Sequence, residues 1–126
     1  MKLLIIGNLN GYMSEASKLA IEQGAEVIFA ENTTQAINVL LKGNNISLIF
    51  IDITLPIRDF GKSLHAQKIT IPVISCGIGS DEDVAANSIS FGAKEYLPLP
   101  PNSSLIAEIL ASVSEDIGDL IFKDKK

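Results

Sequence analysis

Asp52 is the acidic residue best placed for chemistry. It ends the apolar run Leu48-Ile49-Phe50-Ile51 and is followed by Ile53-Thr54-Leu55-Pro56. A carboxylate at the end of a buried strand can accept a transferred group or hold a hard cation, but both roles need further charge beside it. The other reactive side chains are sparse. The chain has one histidine, His65, and one cysteine, Cys76, which excludes an internal disulfide and a zinc site of ordinary ligand count. His65 lies in a helical segment with no Cys, Asp or Ser at catalytic spacing and reads as a surface or half-buried residue. Cys76 ends a buried strand, where a free thiol behaves as a small hydrophobe. Gly77-Ile78-Gly79 lacks the third glycine and distal acid of a dinucleotide fingerprint. Asn8-Leu9-Asn10-Gly11 lacks the Gly-Lys-Ser/Thr ending of a Walker loop. The first reads as a flexible loop, the second as a turn that caps the first helix.

These residues need a scaffold, and the apolar pattern supplies one. Strand-length runs rich in isoleucine, leucine and valine occur at Lys2 to Ile6, Ala25 to Ala30, Ser47 to Asp52, Ile71 to Cys76 and Glu95 to Leu97. Segments of helical periodicity follow at about 11–23, 33–43, 58–68, 81–91 and 102–115. The middle runs are apolar at successive positions, as expected of strands buried on both faces of a parallel sheet. The expected architecture is a single α/β domain, doubly wound in three layers, with the βα unit repeated five times. Gly24, Gly43 and Gly92 stand where helices stop, and Ser80-Asp81 and Asn102-Ser103 offer caps where helices begin. In such a sheet, ligands gather at the carboxyl ends of the strands, beside the point where strand order reverses. That singles out Gly7, Asn8, Asp52, Gly77, Leu99 and Pro100.

The composition, 47% hydrophobic and 20% charged, is that of a globular domain without low-complexity tracts. A net charge of −5 opposes the phosphate neutralisation that dominates nucleic-acid affinity, so nucleic acid is not an expected partner. The longest apolar runs fall far short of the roughly 20 residues of a membrane span. A first strand starting at Lys2 leaves no room for a signal peptide. A cytoplasmic domain without a membrane partner is expected.

The stretch Ser47-Leu48-Ile49-Phe50-Ile51-Asp52-Ile53-Thr54-Leu55-Pro56 resembles the third strand and following loop of response-regulator receiver domains. Ile71-Pro72-Val73-Ile74 and Phe91-Gly92-Ala93-Lys94-Glu95-Tyr96-Leu97-Pro98 resemble the fourth strand and the turn into the fifth. The fold this resemblance implies is the CheY-like, flavodoxin-like three-layer sandwich, with a parallel five-stranded sheet of order 2-1-3-4-5. It implies that Asp52 stands at the phosphoacceptor position, that Pro56 matches the proline four residues later, and that Tyr96 matches the aromatic that responds to activation.

Four supporting positions depart from the family pattern. Gly7 and Asn8 replace the acidic pair that holds magnesium, Gly77 replaces a threonine or serine, and Leu99 replaces a lysine. With two of three carboxylates gone, the formal charge of the acidic trio falls from −3 to −1. Cation binding and phosphoryl transfer rest on clustered charge and hydrogen bonds, so both should weaken. The expectation is a pseudo-receiver that is not an enzyme, binds no cofactor and acts through protein contacts. Two alternatives stay open. One is an atypical but functional acceptor that uses Asp52 with magnesium. The more remote one is a small-molecule or cofactor carrier on the same frame, although residues 7–11 lack a flavodoxin's hydroxyl-rich loop and no cobalamin-type D-x-H-x-x-G loop occurs.

A narrower similarity lies in Ile6-Gly7-Asn8-Leu9-Asn10-Gly11-Tyr12, Ser75-Cys76-Gly77-Ile78-Gly79 and Glu95-Tyr96-Leu97-Pro98-Leu99-Pro100-Pro101. These are similar to the divergent amino-terminal receivers of FlbD-like flagellar activators, within the sigma-54-dependent NtrC family. The similarity implies a receiver-like domain over residues 1–115 and, from 116 to 126, the start of a linker to an ATPase domain. It implies as partner a flagellar assembly factor or the chain's own ATPase domain, or a second copy bound through helix four, strand five and helix five. The expected contact surface is Tyr96, Leu97, Leu99 and Pro100, with a cis bond between Leu99 and Pro100. Ile106, Leu110, Val113, Ile117 and Leu120 follow heptad spacing, which suits either a dimer seam or a core-facing stripe.

Overall fold

In a computed structural model, the described residues are all but Ser80, Asp81, Phe91, Lys125 and Lys126, with side chains described as far as Val113. Five strands alternate with five helices: β1 (Lys2–Ile6), α1 (Tyr12–Glu22), β2 (Glu26–Ala30), α2 (Thr33–Leu41), β3 (Leu48–Asp52), α3 (Ile57–Ala66), β4 (Val73–Ile78), α4 (Glu82–Ser90), β5 (Glu95–Leu99) and α5 (Ser103–Asp124). All pairings are parallel, in the order β2-β1-β3-β4-β5, as the resemblance implies. Strand order reverses between β1 and β3, so their carboxyl ends lie side by side and bring Gly7 against Asp52.

The pattern that builds the sheet is clearest in β3, where every residue is buried. Successive side chains point to opposite faces. Leu48 and Phe50 join Leu3, Ile5, Ile74 and Leu97 under α1 and α5, which contribute Met13, Ala16, Ile106 and Val113. Ile49 and Ile51 join Leu4 and Ile6 in the opposite layer, closed by Ala36 of α2 and by Phe60 and Leu64 of α3. The central strands thus serve two cores, which explains their unbroken apolar runs.

The boundaries shift where local chemistry intervenes. β4 begins at Val73, two residues later than the pattern suggests, because Pro72 has no N–H for the ladder, although its carbonyl still accepts from Ile49 N–H. β5 continues to Leu99 through Pro98. A proline has no N–H for the ladder, and it is tolerated here in an edge strand. The cap at Asn102 is present, its side chain accepting from the amides of Ser104 (2.8 Å) and Leu105 (3.3 Å). Asn32 caps α2 by accepting from Gln35 N–H at 2.8 Å, while Gln35 Oε1 accepts from Glu31 N–H at 2.6 Å. The expected cap at Ser80-Asp81 lies outside the described residues. The Leu99-Pro100 bond is cis.

Two helices matter for the site. α5 buries Ile106, Leu110 and Val113 in the core and runs to Asp124. The side chains of Ile117 and Leu120, the rest of the heptad stripe, lie outside the described residues. α4 is held differently, for its buried residue is the polar Ser88. The Ser75 hydroxyl donates to Ser88 Oγ at 2.7 Å, and Ser88 donates onward to the Ala85 carbonyl at 2.8 Å. A hydrogen bond of this kind stabilises by about 1 kcal/mol net, less than one buried leucine or isoleucine. No helix among the described residues is long and apolar enough to cross a membrane.

Phe50 is fully buried between β3 and the α1/α5 layer, so Phe50→Ala should cost about 3–5 kcal/mol by removing ring contacts and leaving a cavity. Urea unfolding followed by circular dichroism measures it, and a loss below about 1 kcal/mol would contradict this packing.

Candidate functional site

Asp52 is the last residue of β3 and faces the same layer as Leu48 and Phe50. Only 5% of its surface is exposed. Its Oδ1 accepts from the Thr54 amide at 2.8 Å and from the Thr54 hydroxyl at 2.6 Å, while its carbonyl accepts from Leu55 N–H at 3.0 Å. The side chain therefore closes an Asx-type turn between β3 and α3. One carboxylate oxygen is committed to holding the loop.

The opposite wall of this corner is Gly7, where φ is +96°. A β-carbon on Gly7 would meet Asp52 Cβ at 2.5 Å, Asp52 Oδ2 at 3.0 Å and Leu55 Cδ1 at 3.1 Å. Backbone angle and space both exclude a side chain. Asn8 is turned back into its own loop, its Oδ1 accepting from Gly11 N–H at 3.0 Å and its carbonyl from Met13 N–H at 3.2 Å. It turns the chain into α1, the role its sequence position indicates. The open cleft beside these two residues is lined by Ser14, Phe29, Ala30, Glu31 and Gln35, and Asp52 is not part of its wall.

The residues present do not fit magnesium. A hard dication takes about six oxygen ligands and is bound through carboxylates, whereas among the described residues this corner has the carboxylate of Asp52, already bonded to Thr54, and an amide bonded to Gly11. Among the described residues, no group of three or more His, Cys, Asp and Glu side chains is placed to hold a metal.

Cys76 pairs with Asp52 across β3 and β4 and is fully buried. Burial, and then the negative charge of Asp52, push its thiol far above the ordinary value of 9.0. It stays protonated and packs as an apolar side chain. His65 is exposed on α3.

The expected contact surface needs a correction. Leu97 and Leu99 are core residues, Leu99 only 1% exposed, packed with Leu3, Ile5 and Ile106. Strand alternation sends positions 97 and 99 into the α1/α5 layer and leaves Tyr96 half-buried on the other face. Pro100 is exposed. The place of the family's lysine is thus filled by a buried leucine, which supplies packing but no cationic head. Sequence reasoning also passed over Ile78, 55% exposed at the end of β4, and Ile89, 50% exposed on α4. The signal for Ile89 was its place next to Ser88, about 100° round the helix from the face that α4 turns to the sheet.

Gly77 differs from Gly7, for its φ is not left-handed. Its constraint is steric. A β-carbon there would lie 2.6 Å from Tyr96 Oη and 3.0 Å from Ile53 Cγ2. The Tyr96 hydroxyl donates to the Gly79 carbonyl at 2.9 Å.

No protein-family model matches the chain. The transcriptional regulatory protein FlbD of Caulobacter vibrioides is 41% identical over 124 residues, 98% of this chain. The chain is thus similar in sequence to FlbD over nearly all of its own length. It spans 27% of that protein's length. Among solved structures, a two-component response regulator from Clostridium difficile superposes with a TM-score of 0.78 at 21% identity, covering 93% of this chain and 98% of that one. NtrX from Brucella abortus gives a TM-score of 0.79 at 16% identity, covering 94% of this chain and 28% of that one. The chain therefore has the fold of these receiver structures.

Two measurements probe this corner of the receiver. The folded thiol of Cys76 holds its proton above 9.0, so its contribution to stability is full below that pH and is lost as pH rises and the unfolded thiol ionises. Urea melts between about pH 7 and pH 10.5 should show a steeper alkaline loss in the parent than in Cys76→Ala; equal slopes would contradict the burial. Restoring an acid by Gly7→Asp should destabilise the fold by about 1–3 kcal/mol through the left-handed backbone and the clash with Asp52. It should yield no magnesium heat by titration calorimetry, and a well-folded Gly7→Asp chain that binds magnesium would refute this account of the corner.

Proposed function

We propose that the chain is a degenerate receiver, a non-enzymatic regulatory module that acts by contact with other protein surfaces rather than by phosphorylation at Asp52. The observation that carries this reading is the state of the acceptor corner. Asp52 is buried and bonded to Thr54, the backbone of Gly7 stands where a metal ligand would project, and buried Leu99 supplies no cation. A phosphoryl group on Asp52 would gain neither counter-charge nor a hydroxyl from Gly77, so little would separate the two states energetically.

The relationship to FlbD, named a transcriptional regulatory protein, supports a place in transcription control. The finer proposal is a cytoplasmic receiver that needs no cofactor, at the head of a sigma-54-dependent, NtrC-family flagellar activator. Its partner is a flagellar assembly factor or the ATPase domain of the same protein, with a homodimer through α4, β5 and α5 as one assembly state. The domain itself does not bind nucleic acid, as its negative charge favours. Tyr96 and Pro100, joined by the exposed Ile89, take the contact role. Leu97 and Leu99 support that face from within.

The test is a reporter assay with the full-length regulator. Asp52→Asn keeps an oxygen to accept from Thr54 but cannot be phosphorylated, and should leave output within about twofold of the parent. Ile89→Asp and Pro100→Asp should each lower it about tenfold, equivalent to 1.4 kcal/mol of lost contact. If Asp52→Asn abolishes output, and acetyl phosphate with magnesium yields a stable aspartyl phosphate at Asp52 by mass spectrometry, the functional-acceptor alternative replaces this proposal.

A further inference from the structure

We infer that Gly77 and Tyr96 form a steric interlock: the missing side chain at 77 lets the tyrosine ring lie across the end of β4 and hold Gly79, just beyond that strand, in one arrangement. Ser75 pairs with Tyr96 and Gly77 with Pro98, so these four residues share one face of the sheet. From Tyr96 the ring reaches diagonally over Gly77. A β-carbon on Gly77 would lie 2.6 Å from Oη and 3.1 Å from Cε1 of that ring, closer than non-bonded heavy atoms approach. A side chain at 77 and the ring in this position are mutually exclusive.

Nothing in the backbone asks for glycine at 77, since its φ is not left-handed. The space is what matters, and the ring uses it. The Tyr96 hydroxyl donates to the Gly79 carbonyl at 2.9 Å, and Gly79 N–H donates to the Leu99 carbonyl at 3.0 Å. Gly79 is thus held on both sides by β5, immediately before the loop into α4. α4 is tied to the same side of the sheet by the buried Ser75–Ser88 hydroxyl pair. The position of the α4–β5 face is consequently set by an amino-acid choice, without a chemical signal at Asp52. Only this last step rests on the proposed contact function; the interlock itself does not.

The experiment uses the chain labelled with 13C at the tyrosine ε positions. It has two tyrosines, so Tyr12 serves as an internal reference. Gly77→Thr should shift the Tyr96 resonance and leave that of Tyr12 in place, and should speed amide exchange at Gly79 about tenfold. Tyr96→Phe in the parent should speed the same exchange by several-fold but add less than about twofold in the Gly77→Thr background. An unmoved Tyr96 resonance in Gly77→Thr, or additive effects of the two substitutions, would overturn the inference. If Gly77→Thr is too unstable to study, Gly77→Ala gives the smaller displacement. The denaturation penalty of Gly77→Ala should then fall about tenfold in folding equilibrium in a Tyr96→Ala background, whereas an unchanged penalty would refute the interlock. These readouts involve no partner, so loss of output in Asp52→Asn would sink the proposed function and leave the interlock standing.

Discussion

The close approach of β1 and β3 at their carboxyl ends governs the chemistry of this molecule. Strand order reverses there, and the sheet brings the last residue of β3 against the first residue after β1. With Gly7 in a left-handed conformation and its α-carbon close to Asp52, the corner is closed by backbone. The Asp52 carboxylate must then find its partners locally, and Thr54 supplies them. What elsewhere could be a reactive group becomes the anchor of a turn.

A second constraint follows on the far side of the sheet. β5 carries an alternation in which Leu97 and Leu99 enter the core while Tyr96 lies over the end of β4. The edge strand therefore serves the inner layer with one set of side chains and organises the α4 side with the other. α4 meets the sheet on that second side, where Ser88 is buried and accepts from Ser75. The large cores under α1/α5 and under α2/α3 hold the other four helices.

Much of this was legible in the residues. The run Leu48 to Ile51 marks a doubly buried strand, and the spacing of such runs yields five βα units. The departures at Gly7, Asn8, Gly77 and Leu99 locate the altered corner, and Asn8 is found turning the loop as expected. The surface was less legible. A leucine in the position of a lysine invites a surface reading of Leu99 and of its neighbour Leu97. The strand period of two, obscured by Pro98, sends both inward. The exposure of Ile78 and Ile89 depends on how strands and helices end and pack, which no single residue reveals. The Thr54 contacts and the clash between Gly77 and Tyr96 depend on distances between elements, and a linear pattern contains none of these.

The left-handed turn at Gly7 also bears on which substitutions the molecule can accept. A glycine held in place by space alone, such as Gly77, can be reversed by one substitution if a neighbouring ring swings aside. Gly7 cannot, because an acid at that site meets both an unfavourable backbone angle and the carbons of Asp52 and Leu55. Placing a carboxylate there would require the loop and the turn after β3 to change together with the residue. The backbone thus acts as a latch, since position 7 cannot take an acid unless its surroundings move with it.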